Sequence, residues 1–276
     1  MVGGTGRALR FPPVADIVYP SVIRALMVGF KGLGIEFDMS GTEKVPAAGG
    51  LVLASNHVSY LDFIFAGLAP WHGRRRLTRF MAKEAVFTHK VSGPLMRGMH
   101  HIPVDRESGS ASYRAALKAL KGGEIVGVFP EATISQSFTV KELKSGAVRM
   151  AASARVPILP VVVWGGQRMW TKGRPRSFPR GQTISIIVGD PIMVSPKDDM
   201  DAATTHLRET LAALLAQAQA AHPATAEPGP HAWWLPAHLG GAAPTPQEAA
   251  QIAEDEAAQR RAARQARGQA DGPAAT

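Results

Sequence analysis

Short apolar runs, punctuated by glycine and proline, alternate along this chain with stretches whose apolar residues recur at helical spacing. Leu51 to Ala54 reads as a buried strand launched from the turn Val45–Gly50, and Phe63 to Leu68 as the opening of a helix. Leu77–Ala82, His101–Val104, Ile125–Phe129, Val156–Trp164 and Thr183–Val188 read as further strands. Pro157 stands at a strand entry, where a missing donor costs least. Between the strands, the spacing predicts helices over 91–99, broken by Gly93-Pro94, over 110–121 with Tyr113, Ala116, Leu117 and Leu120 on one face, and over 143–154. A last helix over 201–219 carries Leu207, Leu211, Leu214 and Leu215. Trp71 to Arg76 reads as a basic loop. Strands alternating with helices predict an α/β fold with a mostly parallel central sheet flanked by helices.

The pattern changes at both ends. Val14 to Ile35 is apolar but interrupted by Asp16, Pro20, Arg24, Lys31 and glycines, whereas a membrane span needs about 20 nearly unbroken apolar residues. It reads as a helical segment, either interfacial on a membrane or packed on the domain. Beyond Ala221 the chain turns to proline, glycine and alanine. There Trp233-Trp234-Leu235 either packs on the domain or dips into a membrane interface. Thr245-Pro246-Gln247-Glu248 has the form of a capping box opening an alanine-rich, charged and exposed helix. The expected organisation is a helical, interfacial segment over 1–43, the main domain over 44–220, and a tail over 221–276.

Composition narrows the chemistry. The 276 residues are 45% hydrophobic, enough for a full core, and the absence of cysteine removes disulfides, thiolate metal sites and cysteine nucleophiles. That absence agrees with a reducing compartment. A formal net charge of +9 points to an anionic partner: nucleic acid, a membrane surface or a phosphorylated substrate. Few aromatics interleave with the basic residues, so a stacking platform for nucleic acid is not indicated. His100 and His101 lack partners at metal-ligand spacing and read as structural, and no metal or cofactor is expected.

The candidate chemistry lies in Ser55-Asn56-His57-Val58-Ser59-Tyr60-Leu61-Asp62, where a strand hands over to a helix, the usual place for a site in an open α/β sheet. Histidine moves protons near neutral pH, and a carboxylate on its second ring nitrogen fixes the tautomer. Residues five apart on an ideal helix differ by about 140° in direction. His57 must therefore sit on an irregular first turn to meet Asp62. The alternative is a capped helix start with an incidental histidine.

Three more segments stand at strand ends or strands: Ile102-Pro103-Val104-Asp105-Arg106, Phe129-Pro130-Glu131-Ala132-Thr133 and Val156-Pro157-Ile158-Leu159-Pro160-Val161. With the His57 segment they resemble the four ordered blocks of the glycerolipid acyltransferase family that includes 1-acylglycerol-3-phosphate acyltransferases, over roughly Lys44 to Pro191. The resemblance implies His57 as general base and Asp62 as its orienting partner. It implies that Arg106, Glu131, Ala132 and Thr133 hold the acceptor's glycerol phosphate, and that Val156–Val161 serves the acyl donor or the fold around its tunnel. Lys83 and Lys144 sit where members commonly carry lysines. Ala132 departs from the pattern, because the third block usually reads Phe-Pro-Glu-Gly-Thr; alanine costs stability only if that backbone needs a positive φ. A surface salt bridge is the bland reading of Arg106, and a helix-cap carboxylate that of Glu131.

The resemblance implies transfer of an acyl chain from acyl-CoA or acyl carrier protein to lysophosphatidic acid, with acyl-CoA as a co-substrate rather than a cofactor. The interrupted apolar segment Val14–Ile35 and the cluster Arg74–Arg76 point to attachment to an anionic membrane at its cytoplasmic face, peripheral or monotopic, and no nucleic acid partner is expected. Two other readings stay open: transfer to another acceptor, such as glycerol 3-phosphate, a different lysophospholipid or a glycolipid, and a non-catalytic lipid-binding protein on the same fold.

Overall fold

The computed structural model describes residues 16–105, 109–223 and 230–270. Among them Glu36–Ser40 (β1), Leu51–Ser55 (β2), Thr78–Lys83 (β3), Ile102–Val104 (β4), Ile125–Val128 (β5), Ile158–Trp164 (β6) and Thr183–Val188 (β7) form one sheet in the order β1-β7-β6-β2-β5-β3-β4. Every pairing is parallel except that of β6 with β7. β2 lies mid-sheet with all its residues buried, which is why it reads as an unbroken apolar run.

Helices cover both faces, and the two-residue period of the strands divides the core between them. Leu51 and Leu53 of β2 join a cluster with Val18–Gly32 (α1) and Asp62–Arg74 (α2), to which Phe87 of Glu84–Thr88 (α3) and Met96 of Ser92–Gly98 (α4) also belong. Val52 and Ala54 face the opposite cluster with Gly109–Lys121 (α5), Gly146–Ala154 (α6) and Met200–Ala221 (α7).

At the amino-terminal end, α1 buries Tyr19, Ile23 and Phe30 in the core while Ile17 and Val28 are 74% exposed. The segment thus packs on the domain with one face, and on its outer face Ile17 and Val28 stand among Ser21, Arg24 and Lys31. Among the described residues no helix is long and apolar enough to cross a membrane. β1 is an addition to the expected elements: Glu36-Phe37-Asp38-Met39-Ser40 alternates polar and apolar, as an edge strand buried on one side does, and it extends the sheet into the 1–43 segment.

Two other stretches differ from expectation. α2 runs on to Arg74, where a basic loop is predicted, and ends with Arg75 in a left-handed conformation at φ 53°. The arginines there staple backbone. Arg74 donates to the carbonyls of Val45 and Glu43, Arg76 to those of Pro46 and Gly123, and the Arg75 guanidinium lies 5.1 Å over Trp71. Carbonyls that would otherwise lack donors thereby account for much of the basic run. α6 starts at Gly146, later than its pattern suggests; ahead of it the Lys144 N–H donates to the Pro130 carbonyl at 2.9 Å and ties the segment to the turn after β5.

The tail folds onto the domain. Trp234 is buried, its ring 6.3 Å from Trp164 and 6.2 Å from His222, and Gln167 donates to its carbonyl at 3.3 Å. Arg168 covers Trp234 at 4.6 Å, and Arg174 covers Trp233 at 4.7 Å. Pro246–Ala270 (α8) opens with the anticipated reciprocal cap: the Thr245 N–H donates to Glu248 Oε2 at 2.8 Å, and the Glu248 N–H donates back to Thr245 Oγ1 at 3.3 Å. Since Trp234 belongs to the core, Trp234→Ala should lower unfolding free energy by about 3 kcal/mol. Urea denaturation measures this, and a loss well under about 1 kcal/mol would mean the tail is only loosely applied.

Candidate active site

The chain leaves β2 through Asn56, whose side chain takes over a ladder position. Its Nδ2 donates to the Val163 carbonyl at 3.0 Å, and its Oδ1 accepts from the Val163 N–H at 2.8 Å. The following turn winds around a single oxygen. Asp62 Oδ2 accepts from the N–H groups of Val58 and Ser59, both at 2.7 Å, and lies 3.0 Å from His57 Nδ1. Asp62 is the first residue of α2 and His57 lies ahead of the helix, so the helical offset that would part them does not apply.

Asp62 is 0% exposed, while 19% of the His57 side chain remains open. Burial pushes the Asp62 carboxyl above its usual range, against the opposing pull of His57 and the Ser59 and Val58 amides. Because two backbone N–H groups already donate to Oδ2, that oxygen serves as an acceptor and the His57 Nδ1 carries the hydrogen. The Nε2 lone pair is thereby left free to take a proton. The imidazole stacks on Phe129, centroids 4.3 Å apart and planes 23° from parallel, which fixes its tilt.

A second buried carboxylate braces the histidine's backbone. Glu131 Oε1 accepts from the His57 N–H at 2.8 Å, and Oε2 accepts from the Lys141 N–H at 3.1 Å. The His57 carbonyl accepts from the Ser135 N–H at 2.7 Å. Both backbone groups of His57 are thus tied to the segment after β5. Burial raises the Glu131 carboxyl to about 7, although the Lys141 and His57 amides and the Lys141 charge pull it down. Ala132 adopts φ 62°, so the left-handed backbone that glycine would favour is occupied by a residue with a Cβ. Thr133 Oγ1 accepts from Lys141 Nζ at 2.6 Å.

Two of the remaining expected positions carry exposed lysines. Lys83 ends β3, in register with Val104 of β4, and its side chain is exposed. Lys144 is exposed as well. Arg106 lies outside the described residues. Asn56, Phe129, Lys141 and the loop after β6 join the site without having been singled out. In that loop, Thr171 Oγ1 donates to the Val58 carbonyl at 2.7 Å, and the Trp170 carbonyl accepts from Ser59 Oγ at 2.7 Å and the Tyr60 N–H at 3.0 Å. Phe129 was visible as the last apolar residue of its strand; nothing local marks Lys141 or Thr171. No group of three or more histidine, aspartate or glutamate side chains could hold a metal ion among the described residues.

A mostly parallel sheet that delivers a histidine–carboxylate pair from a central strand places the chain among α/β proteins with a site suited to proton transfer, and comparison with known proteins narrows this. The family model described as Acyltransferase matches residues 36–164. The 1-acyl-sn-glycerol-3-phosphate acyltransferase of Bacillus subtilis (strain 168) is 33% identical over 156 residues, 54% of this chain and 70% of that protein. The human 1-acyl-sn-glycerol-3-phosphate acyltransferase alpha is 25% identical over 205 residues, 69% of this chain and 68% of its own. The chain spans 59% of the length of the Limnanthes alba enzyme of the same name. The crystal structure of the 1-acyl-sn-glycerophosphate acyltransferase PlsC from Thermotoga maritima shares the fold, with a TM-score of 0.63 at 21% identity over 75% of this chain and 81% of that one. This chain belongs to the acyltransferase family, an O-acyltransferase family that includes the 1-acyl-sn-glycerol-3-phosphate acyltransferases.

The left-handed alanine gives a direct test of the local backbone. Ala132→Gly should raise stability by about 1 kcal/mol, the strain relieved exceeding the extra entropy of glycine in the unfolded chain. The denaturant midpoint should rise at constant m-value; an unchanged or lower midpoint would mean the position carries no strain.

Proposed function

We propose that this chain transfers a fatty acyl group from an acyl-CoA or acyl-carrier-protein thioester to the free hydroxyl of 1-acylglycerol 3-phosphate, giving phosphatidic acid. The observation that carries the reading is the His57–Asp62 pair, with its open Nε2, in a chain of the acyltransferase family. The acceptor oxygen attacks the thioester carbonyl as His57 Nε2 removes its proton. When the tetrahedral intermediate collapses, the C–S bond breaks and the imidazolium returns the proton to the departing sulfur, giving the free thiol and the neutral base. The ester forms without a covalent enzyme intermediate. Asp62 keeps the imidazole in the required tautomer and offsets the positive charge it gains. By the resemblance of its block, Arg106 is one candidate contributor to holding the acceptor phosphate and leaves room for further cationic partners.

An apolar groove supports the lipid character of the substrate. Tyr19, Val22 and Leu26 of α1, Phe63 of α2, and Leu95 and Met99 line a space of about 200 Å³. Phe63 follows Asp62 directly, so the groove begins one residue from the carboxylate. Exposed apolar side chains stand on the same elements: Leu95 in the groove lining, Val18 and Val28 on α1, Ile17 just ahead of α1 and Val91 just ahead of α4. Together with the net charge of +9, they favour reversible attachment to an anionic bilayer.

The chemical reading predicts that His57→Ala lowers transfer by at least about a hundredfold while the protein stays folded, and that Asp62→Asn is also severe. The readout is release of free thiol from acyl-CoA, dependent on added lysophosphatidic acid. A folded His57→Ala protein working at the wild-type rate would sink the assignment. The membrane reading predicts flotation with phosphatidylserine-containing vesicles that weakens between low and high salt. Equal binding to neutral and anionic vesicles at both salts would count against its electrostatic part.

A further inference from the structure

Two lysines stand on segments bonded to the His57 turn, and neither belongs to the expected site. Lys141 follows the third block, and its backbone N–H is held by Glu131, the same carboxylate that holds the His57 N–H. Its Nζ donates to Thr133 Oγ1 at 2.6 Å, which leaves the threonine O–H free to donate onward. Lys172 comes from the loop after β6, directly after Thr171, whose hydroxyl holds the Val58 carbonyl. Burial lowers the Lys141 pKa and the Lys172 charge pushes it further down, against the pull of Glu131. An ammonium bonded to a hydroxyl that has a hydrogen to give, with the charge of a second lysine bearing on it from another loop, calls for an anion.

The anion present comes from the tail. Lys172 Nζ lies 2.5 Å from Glu256 Oε2 on α8, in a pair whose lysine side chain is 18% exposed. The same oxygen lies 3.1 Å from Arg260 Nη2, one turn along the helix. Among the ion pairs of the described residues, Glu256 is the one carboxylate that α8 gives to the loop bearing Thr171.

We propose that Lys141, Lys172 and Thr133 bind the phosphate of the acceptor, and that Glu256 of the C-terminal helix is the internal anion which holds Lys172 until that phosphate displaces it. A phosphate monoester brings about two negative charges and several acceptor oxygens against the one charge of a carboxylate, so it competes well for the same ammonium. The acceptor is favoured over CoA because both lysines stand on segments bonded to the His57 turn. In the acceptor, a short glycerol unit separates the reacting hydroxyl from the phosphate, whereas a long pantetheine arm separates the phosphates of CoA from its thioester. The inference rests on the transfer reaction proposed above and adds the headgroup site and its competitor.

The test uses the full chain as wild type, Glu256→Gln, Lys172→Met and the double variant, varying lysophosphatidic acid and acyl-CoA separately. Glu256→Gln removes the competitor and should lower the acceptor KM about two- to fivefold, leaving the donor KM alone. Lys172→Met should raise the acceptor KM about tenfold or more. The double variant should match Lys172→Met, since Glu256 then has nothing to withhold. Binding of glycerol 3-phosphate by titration calorimetry gives a readout without turnover and should tighten and weaken in the same order. If Lys172→Met does not fold, Lys141→Met takes its place with the same expected direction. A Glu256→Gln protein with unaltered acceptor KM and glycerol 3-phosphate affinity, or with only its donor KM shifted, overturns the inference. If wild type fails to acylate lysophosphatidic acid while glycerol 3-phosphate binding follows the order given, the transfer reading falls and the phosphate site stands.

Discussion

One carboxylate oxygen organises this molecule's candidate site. Asp62 Oδ2 gathers two backbone N–H groups and one imidazole nitrogen from the five residues before it, in a place closed to water. Stripping water from a carboxylate costs several kcal/mol unless donors replace it. Here the donors are local, so the turn and the carboxylate hold each other. Val58 and Ser59 are pinned in the shape that brings His57 back over the start of α2. Asp62 also stands at the helix N-terminus, where partial positive charge favours an acidic group. The orientation of the imidazole follows from this turn.

Glu131 performs a different task with the same chemical group. Asp62 acts on the ring of His57, and Glu131 on its backbone, through an N–H at 2.8 Å. The negative charge of Asp62 adds to burial in raising the Glu131 carboxyl, so the two carboxylates work against each other electrostatically. What keeps them together is the count of donors around each. Phe129 completes the arrangement by stacking on the ring, and it stands two residues before Glu131 in the same segment. The histidine is therefore fixed by two strands' ends: β2 carries it, and the chain after β5 braces it.

The carboxy-terminal segment is part of this design. Its two tryptophans are anchored through packing on Trp164 and His222 and through guanidinium groups over the indole rings. Arg168 and Arg174 lie in the stretch that also contains Trp170 and Thr171, which bond the His57 turn. The loop after β6 is thus held between the turn on one side and the tail on the other.

Much of this was legible in the sequence. Continuous apolar runs reported the central strands, helical periodicity reported α5 and α7, Thr245 and Glu248 announced their reciprocal cap, and His57 with Asp62 stood out at a strand-to-helix junction. These are properties of local pattern, where the physics acts over a few residues. The departure at Ala132 was visible too, but only the folded backbone, at φ 62°, decided that the alanine sits where glycine is favoured. Tertiary structure alone put Arg74 and Arg76 on distant carbonyls, gave both oxygens of Glu131 to amides ten and 74 positions away, and brought Lys172 to Glu256. In each case a charged side chain finds its partner across the sheet or along the tail. Charge has no periodicity, so its destination depends on which loops the packed core brings together.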